Sequence, residues 1–188
     1  KFVKKQIIKF LMKISYKKVD KVIAICKELS RDLSIHIKRS VQTIHSPSCD
    51  KIIYKLKNKK IKFKFIKNNI YLINVSRFSE YKGQIDILKA TNLLFQKHKN
   101  LRLILIGYGE YKGKIIRYIK KNNLEKKVTV IDSCSNPYPY IEKSNLFIFA
   151  SNYEGFPNVL NEALMLNTPV ISSNCKSGPR EILLNGKG

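Results

Sequence analysis

From residue 70 onward the chain alternates short apolar runs with longer stretches in which apolar residues recur every three or four positions. "LINVS" (72–76), "LRLILIG" (101–107), "KVTVID" (127–132), "NLFIFA" (145–150) and "TPVISS" (168–173) are short and rich in branched residues. That pattern predicts strands buried on both faces, as in a parallel sheet. Between them, "GQIDILKATNLLFQKHK" places Ile87, Leu88, Thr91, Leu94 and Phe95 on one helical stripe, and "EYKGKIIRYIKKNNL" and "PNVLNEALML" repeat the pattern. The last of these is expected to span 157–166, with Pro157 in the first helical position and Asn167 closing it in a left-handed turn. Strand and helix alternate through residue 184, which predicts an α/β fold with a doubly wound, Rossmann-like parallel sheet. In such sheets ligands sit beyond the carboxyl ends of the strands.

The first fifty residues follow another pattern. "KFVKKQIIKFLMKISYKK" reads as a basic amphipathic helix with Phe2, Ile7, Phe10 and Ile14 near one face. Such a face suits either an anionic membrane surface or packing on a neighbouring domain. "VDKVIAIC" reads as a strand, "KELSRDLSIHI" as a helix, and "VQTIHSPSCD" as a strand running into a turn. Residues 51–69 are dense in lysine and show no period long enough for a core element. The expected organisation is therefore 1–50 as the remnant of one domain, 51–69 as a linker, and 70–188 as a second domain.

Composition adds a large positive charge. The 188 residues carry a formal net charge of +24, yet only six of the 37 basic residues are arginine. Such a field draws anions of any kind. Because lysine is spread along the whole chain, a general lysine bias explains the charge as well as a binding face does. The four cysteines are widely spaced with no Cys-x-x-Cys pair, and with three scattered histidines they read as free thiols rather than metal ligands. No run is long enough to predict a membrane-spanning helix. The chain opens on Lys1 and closes on "LLNGKG", which reads as a piece of a longer protein.

Three places hold candidate chemistry. "RFSEYKG" puts Arg77 and Lys82 in the loop after the first predicted strand of the sheet, a fork and a point charge that suit a diphosphate. In so basic a chain, two cations in one loop are also unremarkable. Gly107 and Gly109 follow the second strand but lack the third glycine of the dinucleotide fingerprint, so a tight turn explains them equally well. "SNYEGFPNVLNEAL" (151–164) is the richest stretch. Glu154 stands after a strand, and Gly155 leaves room for a ligand to approach the backbone. Phe156, Pro157, Asn158 and Val159 lead into a helix whose open N–H groups favour an anion, and Glu162 inside it suits vicinal hydroxyls such as those of a ribose. The plain structural alternative makes Glu154 a dipole-satisfying acid and Glu162 a solvated one.

Taken in order, "VSRFSEYKG", "LRLILIGYGE" and "NPYPYIEKSNLFIFASNYEGFPNVLNEALMLNTPVISSNCKSGPREIL" resemble the C-terminal half of the retaining glycosyltransferases of family four, which have the GT-B fold. "VDKVIAICKELSRDL" and "VQTIHSPSCD" resemble the last elements of that family's N-terminal half. The resemblance implies a nucleotide-sugar donor, UDP-hexose or UDP-N-acetylhexosamine. Arg77 and Lys82 would hold the diphosphate, Glu154 the donor sugar, Gly155 to Val159 the sugar and phosphates through backbone groups, and Glu162 the ribose. Arg77, Lys82 and Glu154 would be the catalytic set, with no metal and no cofactor.

The implied acceptor is a glycan or lipid-linked saccharide of surface polysaccharide synthesis, used by a cytoplasmic enzyme that peripherally contacts an anionic membrane and binds no nucleic acid specifically. Most of the acceptor half is missing, so the isolated chain is expected to hold a donor half-site and to be inactive in transfer. Ser76 replaces a glycine common before the arginine, and Asp132 stands where a glycine turn is usual, which leaves the base preference open. Two rival readings stay open: a basic nucleic-acid-binding protein, and another GT-B activity such as a phosphorylase or an epimerase.

Overall fold

The computed structural model describes residues 2–45 and 50–187, with side chains from Gln6 onward. Expectations that rest on the Phe2 side chain, on Cys49 and on the turn through 46–49 lie outside the described residues. Two compact units emerge, one formed by Lys1–Pro47, Glu154–Phe156 and Lys176–Gly188, the other by Ser48–Tyr153 and Pro157–Cys175.

The second unit is built on five strands: β3 (Ile70–Val75), β4 (Leu101–Ile106), β5 (Val128–Ile131), β6 (Leu146–Phe149) and β7 (Val170–Ser172). They pair in the order β5-β4-β3-β6-β7. Every pairing is parallel, with Ile70 opposite Leu101, Leu72 opposite Leu146, Leu103 opposite Val128 and Phe147 opposite Val170. The doubly wound sheet predicted from the apolar runs is thus present. Helices α4 (Gln84–Lys97), α5 (Lys112–Lys121), α6 (Tyr138–Glu142) and α7 (Asn158–Met165) connect the strands. α4 packs with α5 and α6 with α7. Strand order reverses between β3 and β6, the topology for which the right-handed crossover rule assigns the two helix pairs to opposite faces of the sheet.

The core follows the strand period. Leu101, Leu103 and Leu105 of β4 turn into one cluster with Leu72, Phe78, Ile87, Leu88 and Ile115, while Ile104 and Ile106 are also buried. Residues 51–69 also contribute structure, because their aromatic side chains pack on the following strand and, through Phe63, on Tyr140 of α6. Asp50 Oδ1 accepts the Ile52 N–H at 2.9 Å and starts a short helix α3 (Ile52–Leu56) in which Ile53 is buried. Phe63 and Phe65 lie 5.0 Å apart edge-on, and Phe65 packs 4.7 Å from Tyr71 of β3. Lys57 pairs with Glu142 at 2.6 Å.

The first unit is smaller. α1 (Phe2–Lys17) and α2 (Lys27–Ile37) flank a parallel pair of two-residue strands, β1 (Ile23–Ala24) and β2 (Gln42–Thr43). Val22, Ala24, Ile37 and Val41 form its core, joined by Tyr16, Leu29 and Leu33. The Arg39 guanidinium donates to the carbonyls of Tyr16, Val19 and Asp20, which ties the end of α1 to the turn after it. Residues late in the chain complete the unit. Glu28 in the first turn of α2 accepts the Ser177 N–H at 2.8 Å, and Glu181 in helix α8 (Pro179–Ile182) accepts the Lys27 N–H at 3.0 Å. The Glu181 carboxylate thus satisfies an open first-turn donor of α2, and Glu28 a donor just ahead of α8. Lys176 pairs with Asp32, and His45 Nε2 with Glu181. On α1, Ile7, Phe10, Leu11 and Ile14 remain exposed among lysines. No helix among the described residues is long and apolar enough to cross a membrane.

Candidate functional site

The carboxyl end of β3 is held by a chain of polar side chains that hardly touch water. Asn74 Nδ2 donates to the Ile148 carbonyl of β6 at 2.8 Å, and Ser76 Oγ donates to Asn74 Oδ1 at 2.8 Å. Gln84 Nε2 then donates to Ser76 Oγ at 2.9 Å and to the Arg77 carbonyl at 2.8 Å. Asn74 and Gln84 are each only 1% exposed and Ser76 is half-buried, so water competes little for the two amide side chains. Gln84 Oε1 is buried without a partner among the described residues. Beside this chain Phe78, fully buried, pins the loop to the core. Arg77 itself is exposed.

The loops after β3 and β4 are fastened to one another. The Phe78 N–H donates to the Tyr108 carbonyl at 2.7 Å, and the Tyr111 N–H to the Phe78 carbonyl at 3.0 Å. A Cβ on Gly107 would stand 1.9 Å from the Ser76 carbonyl oxygen, and one on Gly109 would stand 2.3 Å from that of Phe78. These glycines serve close backbone approach, the tight-turn reading of the Gly-x-Gly. A 3-10 turn at Glu80–Lys82 follows, and Gly83 begins α4 with a φ of 70° and no room for a Cβ, since the Ala150 carbonyl would lie 2.2 Å away. The Asn152 N–H donates to the Tyr81 carbonyl at 2.7 Å. The loop carrying Arg77 and Lys82 is thereby fixed across the carboxyl ends of three adjacent strands, beside the reversal of strand order.

Arg77 has a partner that the sequence did not point to: Glu110 Oε2 lies 3.2 Å from its Nη2. A backbone hydrogen bond at Glu110, and then the Arg77 guanidinium, hold the Glu110 carboxyl below the ordinary glutamate range. Any anion taken by Arg77 therefore competes with a carboxylate already seated there. At the end of β5, Lys112 pairs with Asp132 at 2.6 Å.

After β6 the chain divides its predicted residues. Glu154, Gly155 and Phe156 group with the first unit, while Arg77, Lys82, Pro157, Asn158, Val159 and Glu162 group with the second. In the first unit the Cys26 thiol donates to the Gly155 carbonyl at 3.6 Å, and the Phe156 ring lies 5.9 Å from that of His45. Gly155 is not sterically required: a Cβ would meet only Ile25 Cδ1 at 3.6 Å, an ordinary contact. In the second unit α7 begins one residue later than predicted, at Asn158, with Pro157 as its cap. Pro157 and Leu160 are buried, Asn158 is exposed and Val159 half-buried. Asn167 closes the helix in the left-handed conformation, φ 55°, as its residue type predicts. Glu162 is half-buried, and burial raises its carboxyl above the usual range. Gln84, Glu110 and Gly83 went unassigned in the sequence. The "YKGQ" step into a helix carries the signal for Gly83, but nothing local marks Glu110.

A family model described as "Glycosyl transferases group 1" matches residues 57–188. An uncharacterised glycosyltransferase of Methanocaldococcus jannaschii is 35% identical over 184 residues, which is 95% of this chain and 45% of that protein. A Campylobacter jejuni protein named N-acetylgalactosamine-N,N'-diacetylbacillosaminyl-diphospho-undecaprenol 4-alpha-N-acetylgalactosaminyltransferase is 32% identical over 179 residues, 93% of this chain and 47% of its own length. The chain thus spans about half the length of these relatives. Among solved structures, a mutant of the Staphylococcus aureus protein TarM, crystallised with fondaparinux, alpha-GlcNAc-glycerol and UDP, shares the fold with a TM-score of 0.74 at 21% identity, over 92% of this chain and 33% of that one.

Proposed function

The chain belongs to the group 1 glycosyl transferases, and from that membership we propose that it carries the nucleotide-sugar site of a retaining enzyme of surface-polysaccharide synthesis. The donor is a UDP-hexose or UDP-N-acetylhexosamine, and the acceptor a glycan or lipid-linked saccharide. The observation that carries this reading is the loop of Arg77 and Lys82, pinned across three strand ends beside the strand-order reversal. Glu162 stands half-buried on the helix that leaves β6. Two relatives support the chemistry by their names: the C. jejuni enzyme transfers an N-acetylhexosamine to a diphospho-undecaprenol saccharide, and TarM was crystallised with UDP.

Transfer breaks the bond between the sugar C1 and the diphosphate oxygen. The electron pair leaves on the diphosphate, the acceptor oxygen bonds to C1 from the same face, and its proton passes to the departing phosphate. Negative charge grows on the leaving group in that step. Arg77 and Lys82, carried on a loop whose backbone is fixed in advance by hydrogen bonds, stabilise it as it develops. Glu162 accepts the ribose hydroxyls, Asn158 and Val159 offer backbone N–H groups after Pro157 caps the helix, and Glu154 to Phe156 serve the donor sugar.

Calorimetric titration with UDP, GDP and ADP tests the reading. UDP is expected to bind best, with Arg77→Ala weakening it at least about tenfold, the scale of a lost charge-assisted hydrogen bond. Unchanged affinity in both Arg77→Ala and Glu162→Ala would remove the proposed site. The exposed apolar face of α1, set among lysines with no acid in the helix, supports peripheral contact with an anionic membrane. Co-sedimentation with anionic but not with neutral vesicles is the expected result, and equal recovery with both would refute it.

A further inference from the structure

The carboxyl edge of the sheet carries a set of side chains to which no role has been given. Among the described residues five phenylalanine or tyrosine side chains are exposed, and three of them stand on this edge: Tyr81 at 65%, Tyr108 at 64% and Tyr153 at 70% exposure. Each rides a different loop, Tyr81 after β3, Tyr108 after β4 and Tyr153 after β6. Those strands are neighbours in the order β4-β3-β6 and run parallel, so the three loops leave the sheet side by side. Paired strands lie about 4.8 Å apart, which puts the three loop starts within about 10 Å of one another, a span that a short oligosaccharide covers.

The backbone of this row is fixed while its rings are uncommitted. The Tyr108 carbonyl accepts the Phe78 N–H, and the Tyr81 carbonyl accepts the N–H of Asn152, the residue before Tyr153, both at 2.7 Å. Among the described residues no aromatic ring and no cation packs on any of the three rings, and none of the three hydroxyls makes a hydrogen bond. Rings left bare on a fixed frame suit a ligand that brings a flat apolar face bordered by hydroxyls. A pyranose has that form, with C–H groups on its face and hydroxyls around its edge. Charge favours the same ligand. The row mixes the cations Arg77 and Lys82 with the acids Glu80 and Glu110, although the chain as a whole carries a net charge of +24. A nucleic acid stacks on aromatic side chains within a positively charged groove, and the two acids oppose that use. A neutral saccharide meets no such opposition, and its hydroxyls can donate to carboxylates.

We propose that Tyr81, Tyr108 and Tyr153 form a stacking rim that holds the saccharide acceptor, each ring lying against the C–H face of a pyranose. The acceptor role rests on the donor-site reading given above, to which the rim adds the place where the second substrate is held.

The test titrates the chain with tetra-N-acetylchitotetraose and with maltotetraose, followed by saturation-transfer NMR, and with UDP in parallel. At least one saccharide is expected to bind, with the strongest transfer to its ring C–H protons. Tyr81→Ala, Tyr108→Ala and Tyr153→Ala should each weaken it about fivefold, the scale of one aromatic contact. The matching phenylalanine variants should keep most of the affinity, and UDP binding should not change in either series. Binding of neither saccharide overturns the inference, and so does undiminished saccharide binding when all three tyrosines are replaced by alanine. Phenylalanine variants that lose as much as the alanine ones would overturn stacking, and an equal loss of UDP would mark a general structural effect and count against the rim. Tyrosine-dependent binding of oligo(dT) in place of either saccharide would also overturn it. Arg77-dependent UDP binding beside tyrosine-independent saccharide binding leaves the donor-site reading standing and removes the rim. Tyrosine-dependent saccharide binding without any UDP binding leaves the stacking contact standing and removes the donor-site reading together with the acceptor role.

Discussion

The turns that follow β3 and β4 and the turn that follows β6 carry the two halves of the predicted chemistry, and they are built by opposite means. The first pair is crowded. Gly83, Gly107 and Gly109 each lie so close to a neighbouring carbonyl that a Cβ has no place. Backbone hydrogen bonds join Phe78 to Tyr108 and Tyr111, and a chain from Asn74 through Ser76 to Gln84 ends on the Arg77 carbonyl. Around Gly155 there is space and ordinary contact. A cation that must meet charge as it develops gains from a fixed seat, because reorganisation then adds little to the barrier. A loop that meets the variable part of a substrate gains from room. Of these four glycines, the three with no room for a Cβ belong to the cation side, although the sequence draws the eye to Gly155.

Four changes break or sharpen that contrast. Gly107→Ala is expected to have the largest effect, destabilising by about 3 kcal/mol because the Ser76 carbonyl cannot move without dragging the buried chain with it. A thermal melt should drop by roughly 9 °C, and a drop under about 2 °C would show the two loops to be separable. Next comes Glu162→Gln, whose effects on binding and folding oppose each other. Burial raises the Glu162 carboxyl in the folded chain, so its contribution to stability is fully present below the ordinary glutamate value and is lost as pH rises through the raised one. At neutral pH the amide should therefore melt higher than the native chain. Ribose binding needs the ionised form, so UDP affinity should weaken as pH falls through the same window, and the glutamine variant should lose that pH dependence. A flat pH profile in the native chain would count against the assignment.

Glu110→Gln is a smaller change. The carboxylate competing for Arg77 is removed, and pyrophosphate affinity should rise about threefold at low salt, the gain fading as salt screens an exposed pair. A loss of affinity instead would make Glu110 a support for Arg77 rather than a competitor. Smallest of all is Gly155→Ala, expected to change stability by under about 0.5 kcal/mol. Should it nevertheless weaken a UDP-sugar while sparing UDP, the glycine serves the sugar.

The sheet was legible because its signal is local. Leu101, Leu103 and Leu105 share one face of β4 by simple alternation, and Ile87, Leu88 and Thr91 are buried along the predicted stripe of α4. Residues 51–69 were opaque for the converse reason. Phe63 and Phe65 are spaced irregularly among lysines, and they pack on Tyr71 of the next strand and, for Phe63, on Tyr140 of the distant α6. Arg77, Lys82 and Glu162 stood out as charges at strand and helix ends. Glu110 did not, since what distinguishes it is a neighbour brought close by the fold, Arg77. The grouping of residues 154–156 with the start of the chain is likewise invisible in any window of sequence.

The mutual bonds between the opening of α2 and the Lys176–Ile182 stretch bear on the order in which the molecule is made. During synthesis the five-stranded sheet emerges almost whole while the smaller unit still waits for residues that close it. Its early helices spend the intervening translation without their final neighbours, which makes that stage the time when chaperones and proteases find them most readily.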